Sequence, residues 1–208
     1  MLLAGGLFFT VRPTFIEQLH PRAVVGEARP LPLNPRQPVS TLFSTLGTQA
    51  PIAHPTRGNV ERYSYGTSLT FDVTEGLIYS LSIGVPNRLW RGIHVGMSQT
   101  QIAGGLTLLG TVQQAAGLAD EEPAVQAGYL VYPSIDNLPR RRMTAEVRPP
   151  NGCYDVLVDL QPQVQGLLST RRNRYTVVAK EDEAVQWVAT QIQVVDRSRA
   201  GPLDTRAC

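Results

Sequence analysis

The chain has 208 residues, 42% apolar and only 17% charged, with 16 prolines and 18 glycines. That length holds one sizeable core, and the many turn-formers favour a loop-heavy, β-rich protein over a helical one. Nineteen basic against seventeen acidic residues leave a formal charge of +2, too little for a protein that works by neutralising nucleic-acid phosphates, and two cysteines cannot assemble a zinc site of several Cys and His ligands.

Residues 1–19 open on MLLAGGLFFTV, whose bulky members are Leu2, Leu3, Leu7, Phe8 and Phe9. Arg12-Pro13 interrupts the run, and Phe15 and Ile16 resume it. A bilayer takes about 20 apolar residues to cross, and this run has roughly half. It also lacks the cationic start and small-residue cleavage site of a secretory signal. Three readings stay open. The segment lies against other membrane proteins or half-inserted in lipid, with Arg12 reaching headgroups, which is the preferred one; it is the remnant of a signal-anchor starting upstream; or it is a buried first strand of the core.

Residues 20–58 form a Pro-rich extended arm. Pro21, Pro30, Pro32, Pro35, Pro38, Pro51 and Pro55 leave no room for a helix or a central strand between most of them. Such a strap gains order only by lying on its own body or on another subunit, because ordering costs about 1–2 kcal/mol per residue. Pro30, Pro32 and Pro35 are its candidate contacts, and VSTLFSTL at 39–46 has room for a turn of helix.

The globular body spans 59–196, with similar halves at 59–125 and 126–196. Leu69, Phe71 and Val73 alternate with polar residues, Glu75-Gly76 supplies a turn, and Leu77 to Val85 alternate again, which reads as a β-hairpin. Tyr63 and Tyr65 extend its first strand or pair at its edge. Ser98 and Gln101 then make a capping box, so a helix starts at Gln99, with Ile102, Leu106 and Leu109 on one face and Gly110 as its stop. Gly104 and Gly105 weaken that helix by roughly 1 kcal/mol each and allow close approach to a strand.

The run R-G-I-x-V-G-M-S followed by I-x-x-x-L-x-x-L-G resembles the small α/β modules of bacterial envelope proteins, the SmpA/OmlA-type outer-membrane-assembly lipoproteins among them. Gly92, Gly96, Met97, Ser98, Ile102, Leu109 and Gly110 carry the likeness, within about 45 residues. No lipobox cysteine stands near the start. The resemblance implies an extracytoplasmic, non-catalytic scaffold and brings no active site with it.

Residues 111–127 read as a loop or weak helix, and 128–132 as a short strand. Arg140, Arg141 and Arg142 are suited to phosphates, lipid headgroups or an acidic partner, or form a solvated loop. A hairpin joins 144–148 to 153–160. A second one, near 175–195, repeats the theme of 69–85 and hints at duplication; its long strand puts Val185, Trp187, Ala189, Gln191, Gln193 and Val195 on one face. Residues 197–208 form a charged tail. Cys153 and Cys208 either bridge that tail to the body in an oxidising compartment or stay as free thiols.

His20, His54 and His94 have no nucleophile motif near them, and a pairing of His94 with Asp72 is weak beside a simple packed histidine. The expected fold is therefore α+β: an antiparallel sheet of hairpins with one or two short packed helices, preceded by the Pro-rich arm. The expected function is that of a non-catalytic structural accessory subunit on the periplasmic or extracytoplasmic face of a membrane protein complex. It would use no cofactor and no metal, and its partners would be other subunits and the membrane surface, not nucleic acid. Photosynthetic reaction-centre and light-harvesting complexes or respiratory assemblies are the hosts to examine first. The alternative is a soluble small-ligand-binding or hydrolytic domain with a pocket beside the helix at 99–109.

Overall fold

In a computed structural model of the chain, the residues described are 14–16, 28–53, 59–117, 122–148 and 152–197. The apolar run 1–13, Pro21, His20, His54, Pro55 and the tail with Cys208 fall outside them. In chain order the elements are β1 (Thr14–Ile16), β2 (Arg29–Pro30), α1 (Val39–Leu46), β3 (Ile52–Ala53), β4 (Glu61–Ser64), β5 (Leu69–Thr74), β6 (Leu77–Ile83) and β7 (Arg88–Leu89). They continue with α2 (Gln99–Thr107), β8 (Gly110–Gly117), β9 (Ala124–Gln126), β10 (Tyr129–Tyr132), β11 (Arg141–Val147) and β12 (Tyr154–Pro162). The last are β13 (Gly166–Ser169), β14 (Arg174–Lys180) and β15 (Trp187–Asp196). The class is α+β, and apart from the parallel pair β2–β7 the strands pair antiparallel.

Two compact units form, and each is discontinuous in sequence. The larger takes 21–121, 139–163 and 186–208, the smaller 122–138 and 164–185 together with β1. The units thus differ from the contiguous halves 59–125 and 126–196 expected from the sequence.

The larger unit is built on an eight-stranded sheet in the order β3-β4-β5-β6-β15-β12-β11-β8. Alternation dictates its core face. Leu69, Phe71 and Val73 of β5 lie beside Leu81 and Ile83 of β6, and the rows continue through Ile192 and Val194, Val156 and Val158, and Met143 and Ala145. Burying each such large side chain stabilises by about 1.5–3 kcal/mol.

The described part of the Pro-rich strap belongs to this core. Leu31, Leu33 and Leu42 are buried in the same cluster as the sheet residues and Trp90. Strap amides are satisfied by the body: Leu31 N donates to Leu89 O at 2.8 Å, Arg36 N to Ile78 O at 2.7 Å and Val39 N to Gly76 O at 2.8 Å, while Ile78 N donates to Gln37 O at 2.9 Å. The strap needs few donors, which suits a proline-rich sequence. The octapeptide at 39–46 forms two turns of helix, and its Leu42 faces the core.

Local sequence accounts for the connections. Glu75 and Gly76 (φ 52° and 73°) and Arg91 and Gly92 (φ 47° and 88°) are consecutive left-handed residues, the conformation of a type I′ hairpin turn. Trp90 and Ile93 exchange backbone bonds of 2.9 and 3.0 Å across the second. Gly96 N then donates to Ala189 O and Ala189 N to Met97 O, so this segment takes over from β6 as the neighbour of β15. The capping box forms as expected: Gln101 N donates to Ser98 Oγ at 3.3 Å and Ser98 N to Gln101 Oε1 at 2.9 Å.

Four expectations need correction. Gly110 does not stop α2 by taking a left-handed angle; it opens β8, where a Cβ would fall 2.0 Å from the Glu146 carbonyl oxygen. Residues 110–117 are a strand rather than a loop or helix, since pairing with β11 overrides their weak β preference. The segments near 175–195 are not a second hairpin: β14 pairs with β10 and β13, and β15 pairs with β12 and β6. Finally, β15 does not alternate strictly. A bulge opposite Asp159 and Leu160 turns both Ala189 and Ile192 to the core, with Thr190 Oγ1 donating to Asp159 O at 3.2 Å.

The smaller unit is a five-stranded sheet in the order β1-β13-β14-β10-β9. Its adjacent residues Val177 and Val178 point to opposite faces, each into its own cluster: Val131 and Leu168 on one side, Tyr132 and Leu138 on the other. In β1, Phe15 lies opposite Leu168 and Ile16 opposite Leu167.

Two glycines give opposite outcomes. Gly110→Ala should lower stability in urea unfolding by about 1–3 kcal/mol, because backbone rather than a movable side chain blocks the new methyl. Gly104→Ala, in a helix interior with nothing within 4 Å of the new atom, should raise it by up to about 1 kcal/mol.

Candidate functional site

The face of the eight-stranded sheet opposite the core collects the larger unit's polar side chains. Strand register sets them side by side. Arg62 and Asp72 are direct partners on β4 and β5, and the guanidinium donates through Nε at 2.7 Å and Nη2 at 3.1 Å. Ser80, the β6 partner of Asp72, donates to the same carboxylate at 3.1 Å. Arg142 and Asp159, partners on β11 and β12, repeat the forked arrangement at 2.7 and 3.2 Å. The hydrogen bond from each arginine is what raises the pKa of Arg62 and of Arg142.

A third group surrounds Glu146. Arg148 donates to its carboxylate, Arg197 forms an ion pair with it through Nη1, and Arg197 Nε also lies 3.7 Å from Asp155. The bond from Arg197 first and that from Arg148 second hold the Glu146 carboxyl below its usual range. On the other, core-facing side of β4, Tyr63 donates to Glu61 at 2.8 Å, and burial followed by that bond pushes its hydroxyl up to about 12.

Two open depressions of about 300 Å³ each lie on this face. One is lined by neutral groups including Thr67, Ser68, Thr70, Ser82 and Gln191, the other by Thr144, Glu146, Asp155 and Arg197. Neither is lined by a residue of α2, whose Ile102 and Leu106 are buried. Carboxylates here face cations already placed to neutralise them, so the arrangement fixes strand register rather than poising an acid beside a base. Among the described residues, no group of three or more His, Cys, Asp and Glu is placed to hold a metal ion.

The residues singled out in the sequence disperse. Pro30 and Pro32 are exposed, whereas Pro35 is buried and its carbonyl accepts from Tyr154 Oη at 3.3 Å. The arginine triplet splits three ways. Arg140 is exposed, Arg141 stacks 3.9 Å from the Trp187 ring centre, and Arg142 is committed to Asp159. Phe15 and Ile16 are placed on β1; Leu2, Leu3, Leu7, Phe8, Phe9 and Arg12 lie outside the described residues. Cys153 is buried with its sulfur 3.9 Å from Glu146 Oε1, and its proposed partner Cys208 lies outside the described residues. His94 does not meet Asp72: its Nδ1 contacts Val95 O at 2.7 Å.

Sequence reasoning missed Arg36 and Trp90. Arg36, at φ 70°, reaches the core-side carboxylate of Asp196 at 3.1 and 3.2 Å, and Trp90 Nε1 donates to Leu33 O at 3.1 Å. Only the tryptophan has a local signal, a large aromatic directly before an Arg-Gly turn. Comparison of the chain with family models, with curated proteins and with solved structures finds no match.

The depressed pKa of Glu146 sets a sign. Its ion pairs contribute stability fully above the unfolded carboxylate value of about 4.3, and that contribution disappears as pH falls through the lower folded value. Thermal melts of the wild type and Glu146→Gln should therefore differ most at neutral pH and converge at acid pH. A gap that widened on acidification would contradict the pairing.

Proposed function

We propose that the chain is a non-catalytic accessory subunit that works by protein–protein contact on the extracytoplasmic face of a membrane complex, with its N-terminal segment toward lipid. The observation that carries this reading is how the chain spends its polar groups. The arginines, carboxylates and capping residues of the larger unit hold strands, turns and a helix terminus to one another. The remaining distinctive chemistry is the apolar run before Thr14, and β1 attaches that run to a unit separate from the strap.

The likeness to SmpA/OmlA-type envelope modules belongs to the same proposal. Gly92 turns the chain, Gly96 pairs with β15 and Ser98 caps α2, which are the tasks such a scaffold would set those residues. Among the described residues no helix is long and apolar enough to cross a membrane, so attachment in this reading rests on the N-terminal run and on partner subunits.

The extended arm of the expected fold divides accordingly. Residues 28–46 serve their own body, and contact with other chains falls to residues 1–27. Removing 1–58 would strip Leu31, Leu33 and Leu42 from the core, a loss of roughly 6 kcal/mol or more that rivals the whole stability of a domain. The useful truncation is 1–13. Expressed in its native cell, that variant should leave the high-mass membrane complex on native gels while its circular dichroism and melting temperature match the full chain. Retention in the complex at the full-length level, or a full-length chain that migrates as a free monomer, would contradict the proposal.

A further inference from the structure

An edge strand leaves one row of backbone N–H and C=O groups without a strand beside it, and proteins blunt such edges by keeping them short or charged. Of the four edges of the two large sheets, three are short: β3 has two residues, and β1 and β9 have three each. The fourth is β8, whose eight residues GTVQQAAG include no charged side chain and no proline. Among the described residues, β11 is the one strand that pairs with it.

β8 also ends an apolar row. Phe71, Leu81, Val194, Val156, Ala145 and Val112 lie side by side across six strands on the core face. At the far end the row continues to Tyr63, and Phe43 of α1 closes it edge-on, with ring centres 5.3 Å apart. At the β8 end no strand among the described residues follows. Val112 is only half-buried although its neighbour Ala145 is 3% exposed, and Leu108, just before β8, is 87% exposed.

The row therefore has room for one more strand. That strand needs an apolar residue level with Val112, polar residues on either side of it, and no charge. β8 meets the specification itself, because Thr111, Val112 and Gln113 are polar, apolar and polar. A two-fold axis perpendicular to the sheet at Val112 sets that residue opposite its own copy and Thr111 opposite the copy's Gln113. Such an axis keeps both core faces on one side, so the apolar row runs on into the second sheet and no like charges meet.

We propose that β8 is a self-association edge, through which two copies of the chain pair antiparallel about a two-fold axis at Val112. A bulge past Gln113 limits the regular seam to the first half of the strand, so the dimer is weak and concentration-dependent rather than obligate. The seam uses neither the N-terminal run nor another subunit, so it stands or falls separately from the accessory-subunit reading.

The test is sedimentation velocity of the purified full chain from low to high micromolar concentration, over which the mean mass should climb from monomer toward dimer. Thr111→Lys, an exposed change that brings a cation to each side of the seam, should weaken association on the order of tenfold with an unchanged melting temperature. Thr111→Val, which keeps the edge uncharged and adds β preference, should associate at least as well as the wild type. In a Cys208→Ser background, Val112→Cys should give a disulfide-linked dimer under mild oxidation, because facing Cβ atoms of such a pair stand about 4.5–5.5 Å apart. Thr107→Cys, on the exposed surface of α2, should not. Three outcomes would each overturn the proposal: a monomer at every concentration, which would leave the edge to a strand of a different protein; association untouched by Thr111→Lys; or no cross-link at residue 112 in a chain that does associate.

Discussion

The larger unit depends on how one face of a wide sheet is closed. Eight strands present a broad apolar surface, and the two helices, of eight and nine residues, are too short to cover it. The strap completes the cover. Leu31 and Leu33 enter as an extended segment, Leu42 enters from α1, and the fully buried Trp90 lies beside them, anchored by its indole N–H to the Leu33 carbonyl. An extended segment buries its side chains only if its amides are satisfied, and here the body supplies carbonyls at residues 76, 78 and 89.

The clasp between Arg36 and Asp196 has the same logic from the charged side. Asp196 stands at the end of β15 on the core-facing register, where a lone carboxylate would be costly to bury. Arg36 Nε donates to both of its oxygens, from a left-handed backbone conformation that costs about 1–2 kcal/mol for a residue with a Cβ. The two residues are 160 apart in sequence, so the clasp joins the beginning of the described body to its end.

What was legible in the sequence follows the range of the interaction. The Glu75-Gly76 hairpin, the Ser98–Gln101 cap and the pairing of β11 with β12 are set by neighbours a few residues away, and their patterns could be read directly. The identity of the sheet that β14 and β15 join is set by partners far along the chain, and two similar alternating segments looked like one hairpin. The β15 bulge defeated strict alternation because one extra residue exchanges the faces of everything after it. The strap misled differently. Proline spacing predicts extended backbone, but whether such backbone lies on its own body or on another chain depends on the shape of a sheet face, and no residue pattern records it. Among the candidate contacts, three consecutive arginines drew attention, yet two of them answer an aspartate and a tryptophan brought near by strand pairing.

The central claim is that residues 28–46 are core rather than linker. Native-state hydrogen exchange of the Leu31, Arg36 and Val39 amides tests it most directly. The account predicts that they exchange as slowly as the central amides of β5 and β6, through the same global opening. Exchange of those three at the rate of exposed loop amides, with β5 and β6 still protected, would contradict it.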